Sequence, residues 1–434
     1  MYSKTAALVR RQLEIQPFQS GPGIERATRL SRATVNRTLA ELGTEVVKLG
    51  RARATRYALA EPLFGLDAHQ PVRLIKEDGS SVEWGTIHRI TGNHLALEAG
   101  KSVWSSATIP WPLAPIRRQG FLGRLAAERV ELKAVLGVDV DRWPAAGHVY
   151  AAAVQGADLP GALVVGSPVA AKPLDARAGG VKARASLYEE AIANLQGFAP
   201  GSSAGGDQPK LTATAPQGDV IVKYSPPKKT PFGIRWNDLL RAEAAALETL
   251  AEAGETVAAA EILPGTARTF LESTRFDRIG ANGRRHVIAL GDIHDAFLKT
   301  PRQHWADTCQ QLVAQGRLPP EDLQRARRWR AFGRLIANTD MHFGNLSLFV
   351  SDFTRGTFTL APCYDMLPMQ YRPGLHREDL GPTPFTPPEP AAEERGVWDE
   401  ATRRATTFWK RTGKDPHVSA EWKAVAAENA RRTR

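Results

Sequence analysis

A polar segment runs directly into an apolar one at Asn338-Thr-Asp-Met-His-Phe-Gly-Asn-Leu-Ser-Leu-Phe349. It places a carboxylate at Asp340 and a carboxamide at Asn345, and apolar residues with strand character follow at once. A second lone carboxylate, Asp365, lies between hydrophobic neighbours further along. The plain interpretation is that these residues make turns between strands. A phosphoryl-transfer site, however, needs a carboxylate to orient the acceptor and two oxygen ligands for Mg²⁺, so the upstream sequence decides between the two.

A glycine-rich stretch and a lysine lie upstream at a suitable distance. Gly201–Lys210 has small residues that let a backbone approach an anion, although it matches neither a Walker loop nor G-x-G-x-x-G, and a flexible linker is the alternative. Val220–Tyr224 predicts a strand with Lys223 among apolar residues, as kinases present the lysine that pairs with ATP phosphates. The alternative is a lysine on the solvent-exposed face of an edge strand. Asn237–Leu250 predicts a helix that places Glu243 to hold Lys223 by an ion pair.

The sequence after this helix predicts a change from strands to helices. Ala258–Leu263 and Arg268–Thr274 have strand character, and Arg275–Arg278 marks the crossing to helical sequence, where a kinase hinge would lie.

Pro373–Pro390 is rich in Pro and Gly and predicts an exposed extended loop. Two closing helices are expected around Val397–Thr412 and Ser419–Arg432, and the basic residues 431–434 are expected to form a solvated tail.

The first sixty residues predict three helices. Ser3–Ile15 is amphipathic, Pro17 and Ser20–Gly23 are expected to break it, and Ile24–Leu30 predicts a short second helix. Ser31 is a good N-cap for a third helix that ends before Gly43. The positions available for a core are Ala6, Leu8, Val9, Leu13, Ile15, Val35, Leu39 and Leu42.

A hairpin completes the pattern of a winged helix-turn-helix. Val46–Leu49 and Thr55–Leu59 predict two strands, joined by Gly50–Ala54 with two arginines at the tip. A packing module of three helices, or a winged helix that docks a protein, is the alternative. The side chains expected to contact DNA are Arg32, Thr34, Asn36, Arg37, Arg51 and Arg53, with Thr38 nearby.

Charge favours the DNA interpretation. The chain has 434 residues and a net charge of +11, and residues 1–60 contain eleven Lys and Arg against four Asp and Glu. So many positive charges in a short segment indicate that it binds a polyanion, and nucleic acid is the leading candidate.

No apolar run is long enough for a membrane span, and the start lacks the features of a signal peptide. Two cysteines, Cys309 and Cys363, are too few for a disulfide framework. We therefore expect a cytoplasmic protein without membrane association.

Residues 61–140 predict a small β-rich subdomain of unknown task. Val72–Lys76, Val82–Ile90 and His94–Glu98 alternate and are separated by turns, and Phe121–Val140 predicts a helix. Residues 141–200 continue with a strand at 162–165 and a helix at 186–195.

In their order and spacing, five motifs resemble the HipA family of serine/threonine kinases, which are toxins of bacterial toxin–antitoxin systems. The motifs occupy residues 203–210, 222–223, 275–278, 338–345 and 364–367. The winged helix in the same chain resembles the YjjJ-type branch. The resemblance implies an α+β fold: a bilobal protein-kinase-like (HipA-like) fold preceded by a small β-rich subdomain and an N-terminal winged helix-turn-helix. The expected divisions are residues 1–60 (DNA-binding domain), 61–140 (β-rich subdomain), 141–274 (kinase N-lobe) and 275–434 (helical C-lobe).

The resemblance also implies roles for individual residues. Asp340 matches the catalytic aspartate, and Asn345 and Asp365 match the Mg²⁺ ligands. Residues around Glu272 to Phe276 match the hinge that contacts adenine. Ser203 matches a loop serine that the family autophosphorylates, with Ser202 as the neighbouring alternative. Asp207 and Pro209 depart from the family's loop. The implied ATP-binding set is Ser203, Gly205, Gly206, Gln208, Lys210, Lys223, Glu243, Glu272, Thr274, Phe276 and His342.

The sequence thus predicts a serine/threonine protein kinase that uses ATP and Mg²⁺, and that binds DNA. Its protein substrate is open, with a translation factor or an aminoacyl-tRNA synthetase suggested by the family, and an antitoxin is a further expected partner. One alternative is a DNA-binding transcription regulator whose kinase-like domain only senses nucleotide. Another is a phosphotransferase that acts on a small molecule.

Overall fold

The structure is a computed structural model that describes residues 2–168, 173–194, 208–373 and 385–433. The chain forms two compact units. The first contains residues 1–119 and 126–171, and the second contains residues 120–125 and 172–434. None of the helices in the described part of the chain combines the length and hydropathy needed to span a bilayer.

The first unit begins with three short helices, each capped by a serine. Ser3, Ser20 and Ser31 accept a hydrogen bond from a backbone N–H of the first turn, which satisfies one donor that the helix itself leaves unpaired. The apolar side chains between the helices form one core with Leu59 of the following hairpin. The elements are α1 (Lys4–Ile15), α2 (Gly21–Thr28), α3 (Arg32–Leu42), β1 (Val46–Leu49) and β2 (Arg56–Leu59).

Three details of this region differ from the sequence-based expectation. Gly21, Pro22 and Gly23 begin helix α2 instead of separating two helices, because Ser20 caps them and a proline in the first turn costs no hydrogen bond. Leu8 and Ile15 are exposed, since their positions fall outside the buried stripe of α1.

A five-stranded antiparallel sheet follows in the same unit, in the order β6-β5-β4-β3-β7. The three predicted strands are present, and an edge strand that the sequence did not predict lies beside them. The sheet also takes its last strand from beyond residue 140, where the sequence analysis ended the β-rich subdomain. The strands are β3 (His69–Ile75), β4 (Ser81–Ile90), β5 (His94–Ala99), β6 (Ser102–Ser106) and β7 (Leu163–Val165).

The helix predicted over Phe121–Val140 is wrong as a single element. The backbone becomes extended at Arg129, and Gly137, with φ 74°, ends the second piece. A longer, almost fully buried helix then precedes β7. The helices are α4 (Gly120–Ala127), α5 (Val130–Leu136) and α6 (Ala145–Gln155).

The second unit opens with a five-stranded sheet in the order β11-β12-β10-β9-β8. One helix packs on β11 beside a cluster of buried side chains around Tyr188 and Phe270, and a 22-residue helix packs on β11 and β12. The elements are β8 (Leu174–Asp175), α7 (Val181–Asn194), β9 (Lys210–Ala215), β10 (Gly218–Tyr224), α8 (Pro231–Glu252), β11 (Ala260–Pro264) and β12 (Thr269–Thr274).

The rest of the second unit is mainly helical. The crossing after Arg275 leads first to short strands and only then to a helix, which corrects the expectation of an immediate helical segment. The last helix extends to Arg432, so Arg431 and Arg432 belong to a helix and not to a tail, although both are exposed as expected. Thr433 is buried, and residue 434 lies outside the described residues. The elements are β13 (Arg278–Ile279), β14 (Gly283–Arg284), β15 (Val287–Ala289), α9 (Leu290–Phe297), α10 (Trp305–Ala314), α11 (Pro320–Leu335), β16 (Ser347–Asp352), β17 (Thr357–Leu360), α12 (Arg395–Lys414) and α13 (Ala420–Arg432).

Candidate active site

The centre of the candidate site is Lys223, on a central strand of the second unit. Alternate residues of β10 face opposite sides of the sheet. Val220, Val222 and Tyr224 join the cluster around Tyr188, so Lys223 lies on the other face. There its ammonium donates to both carboxylate oxygens of Glu243, at 2.6 and 2.8 Å. The ion pair predicted between these residues is therefore present, and it is buried.

Lys223 also forms an ion pair with Asp365, which is 142 residues further along the chain. Asp365 lies in the segment after β17 with φ 52°, a left-handed conformation that Asp adopts more readily than most residues. Its side chain is 24% exposed, whereas that of Glu243 is 1% exposed. The lysine thus joins a fully buried carboxylate to one that solvent or a ligand can reach.

The charges of this cluster keep Lys223 and Asp365 ionised. Burial works to raise the pKa of Asp365, but the positive charges of Lys223 and Lys210 and the hydrogen bond from Lys223 outweigh it and lower that pKa. Burial works to lower the pKa of Lys223, and the carboxylates of Asp365 and Glu243 together raise it instead. An ionised, partly exposed Asp365 is ready to meet a cation.

Asp340 and Asn345 lie in the loop between α11 and β16. The Asn345 side-chain amide donates to the backbone carbonyl of Asp340 at 2.9 Å, which fixes the loop across five residues. That bond uses the nitrogen and leaves the carboxamide oxygen of Asn345 without a partner among the described residues. The Asp340 backbone N–H donates to the side-chain oxygen of Asn338, and no described residue hydrogen-bonds to the Asp340 carboxylate.

Two residues without an assigned role tie this loop to the segment that carries Asp365. The Tyr364 hydroxyl donates to the backbone carbonyl of Gly344 at 2.6 Å. The buried Asn338 side chain donates to the backbone carbonyl of Asp365 at 3.5 Å while it accepts from Asp340. Tyr364 and Asn338 lie within two of the motifs identified in the sequence. The sequence does not predict that they connect the Asp340 loop to the Asp365 segment, because the two motifs are far apart along the chain.

Three further predicted residues have separate surroundings. Lys210 begins β9 and pairs with Lys223 across the strands, so both side chains lie on the same face. Gln208 donates to the backbone carbonyl of Tyr224 at 2.7 Å. The exposed His342 ring accepts a hydrogen bond from the Gly344 N–H at 3.0 Å.

The hinge residues do not all face the site. Glu272 pairs with Val222 across the strands and therefore lies on the face opposite Lys223. Its carboxylate is buried and accepts from Arg184, Tyr188 and Gln217. The Glu272 side chain therefore fixes α7 to the sheet on the face opposite Lys223, and adenine contact by the hinge around Glu272 to Phe276 stays a prediction.

The other two hinge residues lie at the end of the strand and beyond it. Thr274 is half-buried at the end of β12. Phe276 packs its ring against Tyr364, with ring centroids 5.5 Å apart, and against Phe349. Phe276 is therefore next to the residue that precedes Asp365.

The predicted loop residues Ser202, Ser203, Gly205 and Gly206 lie outside the described residues.

The donor set fits Mg²⁺ as phosphoryl-transfer sites hold it. No cluster of three or more His, Cys, Asp and Glu side chains within the described ranges is arranged to hold a metal ion. Mg²⁺ in such sites takes only one or two carboxylates and completes its shell with water and substrate phosphates. The ionised Asp365 and the oxygen of Asn345 supply ligands of that kind.

The residues predicted to contact DNA lie in the first unit and are mostly open to solvent. The side chains of Arg32, Asn36 and Arg37 project from α3 and are exposed. Thr34 is half-buried and bonded to the capping Ser31, while Thr38 is fully buried in the helical core and is not available. The two hairpin arginines, Arg51 and Arg53, are exposed.

Comparison with known proteins identifies relatives over nearly the whole chain. The family model described as "HipA-like C-terminal domain" matches residues 202–428, and that described as "YjjJ-like toxin, middle domain" matches residues 66–173. Toxin YjjJ of Escherichia coli (strain K12) is 32% identical over 438 residues, which cover 96% of this chain and 95% of the relative.

A solved structure shares the fold. HipA of Shewanella oneidensis MR-1, determined in a complex with HipB and its operator DNA, has a TM-score of 0.52 and 16% identity, covering 84% of this chain and 95% of that chain. The proinflammatory kinase CtkA of Helicobacter pylori has a TM-score of 0.36 and 10% identity over 52% of this chain and 89% of its own, a likeness too slight to argue from.

Proposed function

Since the chain belongs to the HipA/YjjJ toxin family, we propose that it is a serine/threonine protein kinase that uses Mg-ATP and acts as the toxin of a toxin–antitoxin system in the cytoplasm. The observation that carries the proposal is the position of Lys223 between Glu243 and Asp365. A buried lysine held by one carboxylate and facing a second, solvent-accessible one matches the way a kinase prepares for ATP phosphates and their metal ion.

In this proposal Lys223 binds the α- and β-phosphates, and Glu243 holds its ammonium in place. Lys210 on the same face adds a second positive charge near the phosphates. Asp365 and Asn345 would hold Mg²⁺, which would supply positive charge to neutralise the phosphate oxygens. When ATP binds, its phosphates take the place of the Asp365 carboxylate next to Lys223.

Asp340 receives the proton of the acceptor hydroxyl and orients that hydroxyl toward the γ-phosphate. Its carboxylate makes no hydrogen bond with a described residue, so it is available to an acceptor, while its backbone is fixed by Asn338 and Asn345. Because phosphoryl transfer depends mainly on positioning and charge neutralisation, this rigid support matters more than a strongly basic group.

The proposal assigns Ser203, with Ser202 as the alternative, as an autophosphorylated residue. It also assigns residues 1–60 as a winged helix-turn-helix that binds DNA through Arg32, Asn36, Arg37, Arg51 and Arg53. The exposure of these five side chains supports the second assignment. An antitoxin and a substrate protein are the remaining partners, and the complex of the Shewanella oneidensis relative with HipB and DNA is consistent with the first.

The test is to incubate the purified full-length chain with Mg-ATP and to locate phosphate by mass spectrometry. The proposal predicts phosphate on Ser203 or Ser202, and none after Asp365→Asn. A chain that binds ATP but transfers no phosphate to itself or to proteins of a cell extract would instead support the nucleotide-sensing regulator. Phosphate found only on added small molecules would support the small-molecule phosphotransferase.

A further inference from the structure

A cavity of about 340 Å³ lies in the first unit, between the β1–β2 hairpin and the edge of the five-stranded sheet. Phe18, Leu49 and Val103 are the large apolar residues of its lining, which also includes three cations. The residues of the hairpin side are Gly50, Arg51, Ala54 and Arg56, and those of the sheet side are Lys101, Val103 and Ser105.

The two sides of this cavity are held together by a shared core. Val47, Leu49 and Ala58 of the hairpin pack with Ile90 and Ala96 of the sheet. The Gly50 backbone N–H also donates to the Glu98 carboxylate of β5 at 3.3 Å. The cavity walls therefore keep their spacing without a ligand, and a group that enters meets a site already formed.

The three cationic side chains of the cavity favour an anionic ligand. Arg51, Arg56 and Lys101 are exposed, and no ion pair with a described carboxylate neutralises any of them. The Arg56 Nη1 group donates to the backbone carbonyls of Thr55 and Arg53, which holds its guanidinium against the hairpin. Glu98 of β5, which is close to the cavity through its hydrogen bond from Gly50, is engaged by that backbone N–H.

We propose that this cavity binds one phosphate group of the DNA backbone, with Arg56 and Lys101 as its ligands beside Arg51. The inference rests on the DNA-binding part of the proposed function and extends the interface from the hairpin to strand β6. DNA backbone is the favoured source because the cavity opens beside the hairpin whose tip carries Arg51 and Arg53. A cavity of this volume is at the lower end for ligand sites, which suits a phosphate with part of its sugar.

The test measures DNA binding by the full-length chain, with a fluorescent mixed-sequence duplex at several salt concentrations. Arg56→Gln with Lys101→Gln removes the ligands, and Ser105→Trp fills the cavity without a change of charge. Lys76→Gln with Arg142→Gln is the matched control, since it removes two exposed charges of the same unit outside the cavity. A thermal melt of each variant checks folding.

Both cavity variants are expected to lower the slope of log affinity against log salt by about one and to weaken binding about fivefold at 0.15 M salt, as for one lost phosphate contact. The control is expected to keep the wild-type slope. Wild-type slopes in the charge variant, or in a folded Ser105→Trp, would overturn the inference. If Arg32→Gln with Arg37→Gln still abolishes binding in that case, the proposed DNA-binding function stands without the cavity.

A second arm separates DNA from free phosphate. Inorganic phosphate at constant ionic strength is added to the wild type and to Arg56→Gln/Lys101→Gln, and the melting temperature is measured. The inference predicts no stabilisation at concentrations at which DNA binds. A rise in the wild type alone, combined with an unchanged DNA salt slope, would show a site for small anions and contradict the DNA assignment.

Discussion

At the level of single residues, the buried ammonium of Lys223 forms ion pairs with the carboxylates of Glu243 and Asp365. Replacing it by methionine leaves Glu243 buried without its partner, which typically costs about 3 kcal/mol or more. We expect Lys223→Met to lower the free energy of unfolding by that amount in the absence of nucleotide. Adding Glu243→Gln to Lys223→Met is expected to recover more than half of the loss, because it removes the unpaired buried charge. Urea unfolding of the three proteins measures both changes.

A double variant no more stable than Lys223→Met would show that Glu243 is not buried with its charge. Wild-type stability in Lys223→Met would show that the ion pairs with Glu243 and Asp365 are absent in solution. The pair with Glu243 was predictable from sequence, since a strand lysine and a helix glutamate twenty residues later fit one local unit. The pair with Asp365 was not predicted, because it depends on how distant segments meet.

Asn338 is a positioning residue that supports Asp340 and Asp365 at once. We expect Asn338→Ala to lower the rate of phosphate transfer at saturating ATP by about 100-fold, since displacement of about 1 Å at such a site has that effect. The KM for ATP should change much less than the rate, because Lys223 and Glu243 are untouched and Asn338 supports only the backbone of Asp365. Rates of phosphate incorporation at varied ATP measure the two quantities separately.

The matched control is Asn429→Ala, which removes an equally buried asparagine bonded to the Tyr371 hydroxyl at 2.7 Å. It should lower stability and leave the transfer rate near that of the wild type. An equal loss of rate in both variants would mean that Asn338 acts only through general stability.

At the scale of elements, helix α6 contains a buried histidine that responds to pH. His148 accepts a hydrogen bond from the Arg118 backbone N–H, and burial, aided by the charges of Arg117 and Arg118, lowers its pKa to about 4. An unfolded histidine titrates near 6.5, so between pH 6.5 and 4 the unfolded chain binds more protons. Stability is therefore lost as pH falls through this window, by at most about 3 kcal/mol for this residue.

Replacing His148 by glutamine is expected to reduce the loss of melting temperature between pH 7 and pH 4.5, because glutamine cannot become charged. His417→Gln changes an exposed histidine and should keep the wild-type pH dependence. Calorimetry of the three proteins at both pH values is the measurement. The same pH dependence in His148→Gln as in the wild type would refute the role given to this histidine.

Elements with local determinants were predictable, and those that depend on distant partners were not. The serine caps and apolar periodicity located α1, α3 and α13 within a residue or two. The break at Arg129 carries no Gly or Pro, and the serine-rich β6 has little strand character, so both escaped detection. The face on which the Glu272 side chain lies was not predictable, because strand register, which decides that face, is set by pairing with β10.

At the scale of the whole molecule, each compact unit has its own core and its own proposed ligand. A ligand at 100 times its Kd stabilises the unit that binds it by about 2.7 kcal/mol. We expect Mg-ATP to raise the unfolding temperature of the second unit alone, and duplex DNA to raise that of the first unit alone. Calorimetry of the full-length chain with each ligand tests this, and Lys223→Met, in which only the Mg-ATP effect should vanish, is the control. A shift of the first unit by Mg-ATP would contradict the division of tasks.

Asp340 is proposed to serve the transfer of phosphate and not the binding of ATP. The most direct measurement compares the wild type with Asp340→Asn, using intact-protein mass spectrometry after incubation with Mg-ATP and calorimetric titration with ATP. We predict that the wild type gains phosphate, and that Asp340→Asn gains none while it binds ATP with similar affinity. Phosphate incorporation by Asp340→Asn at the wild-type rate would contradict the claim.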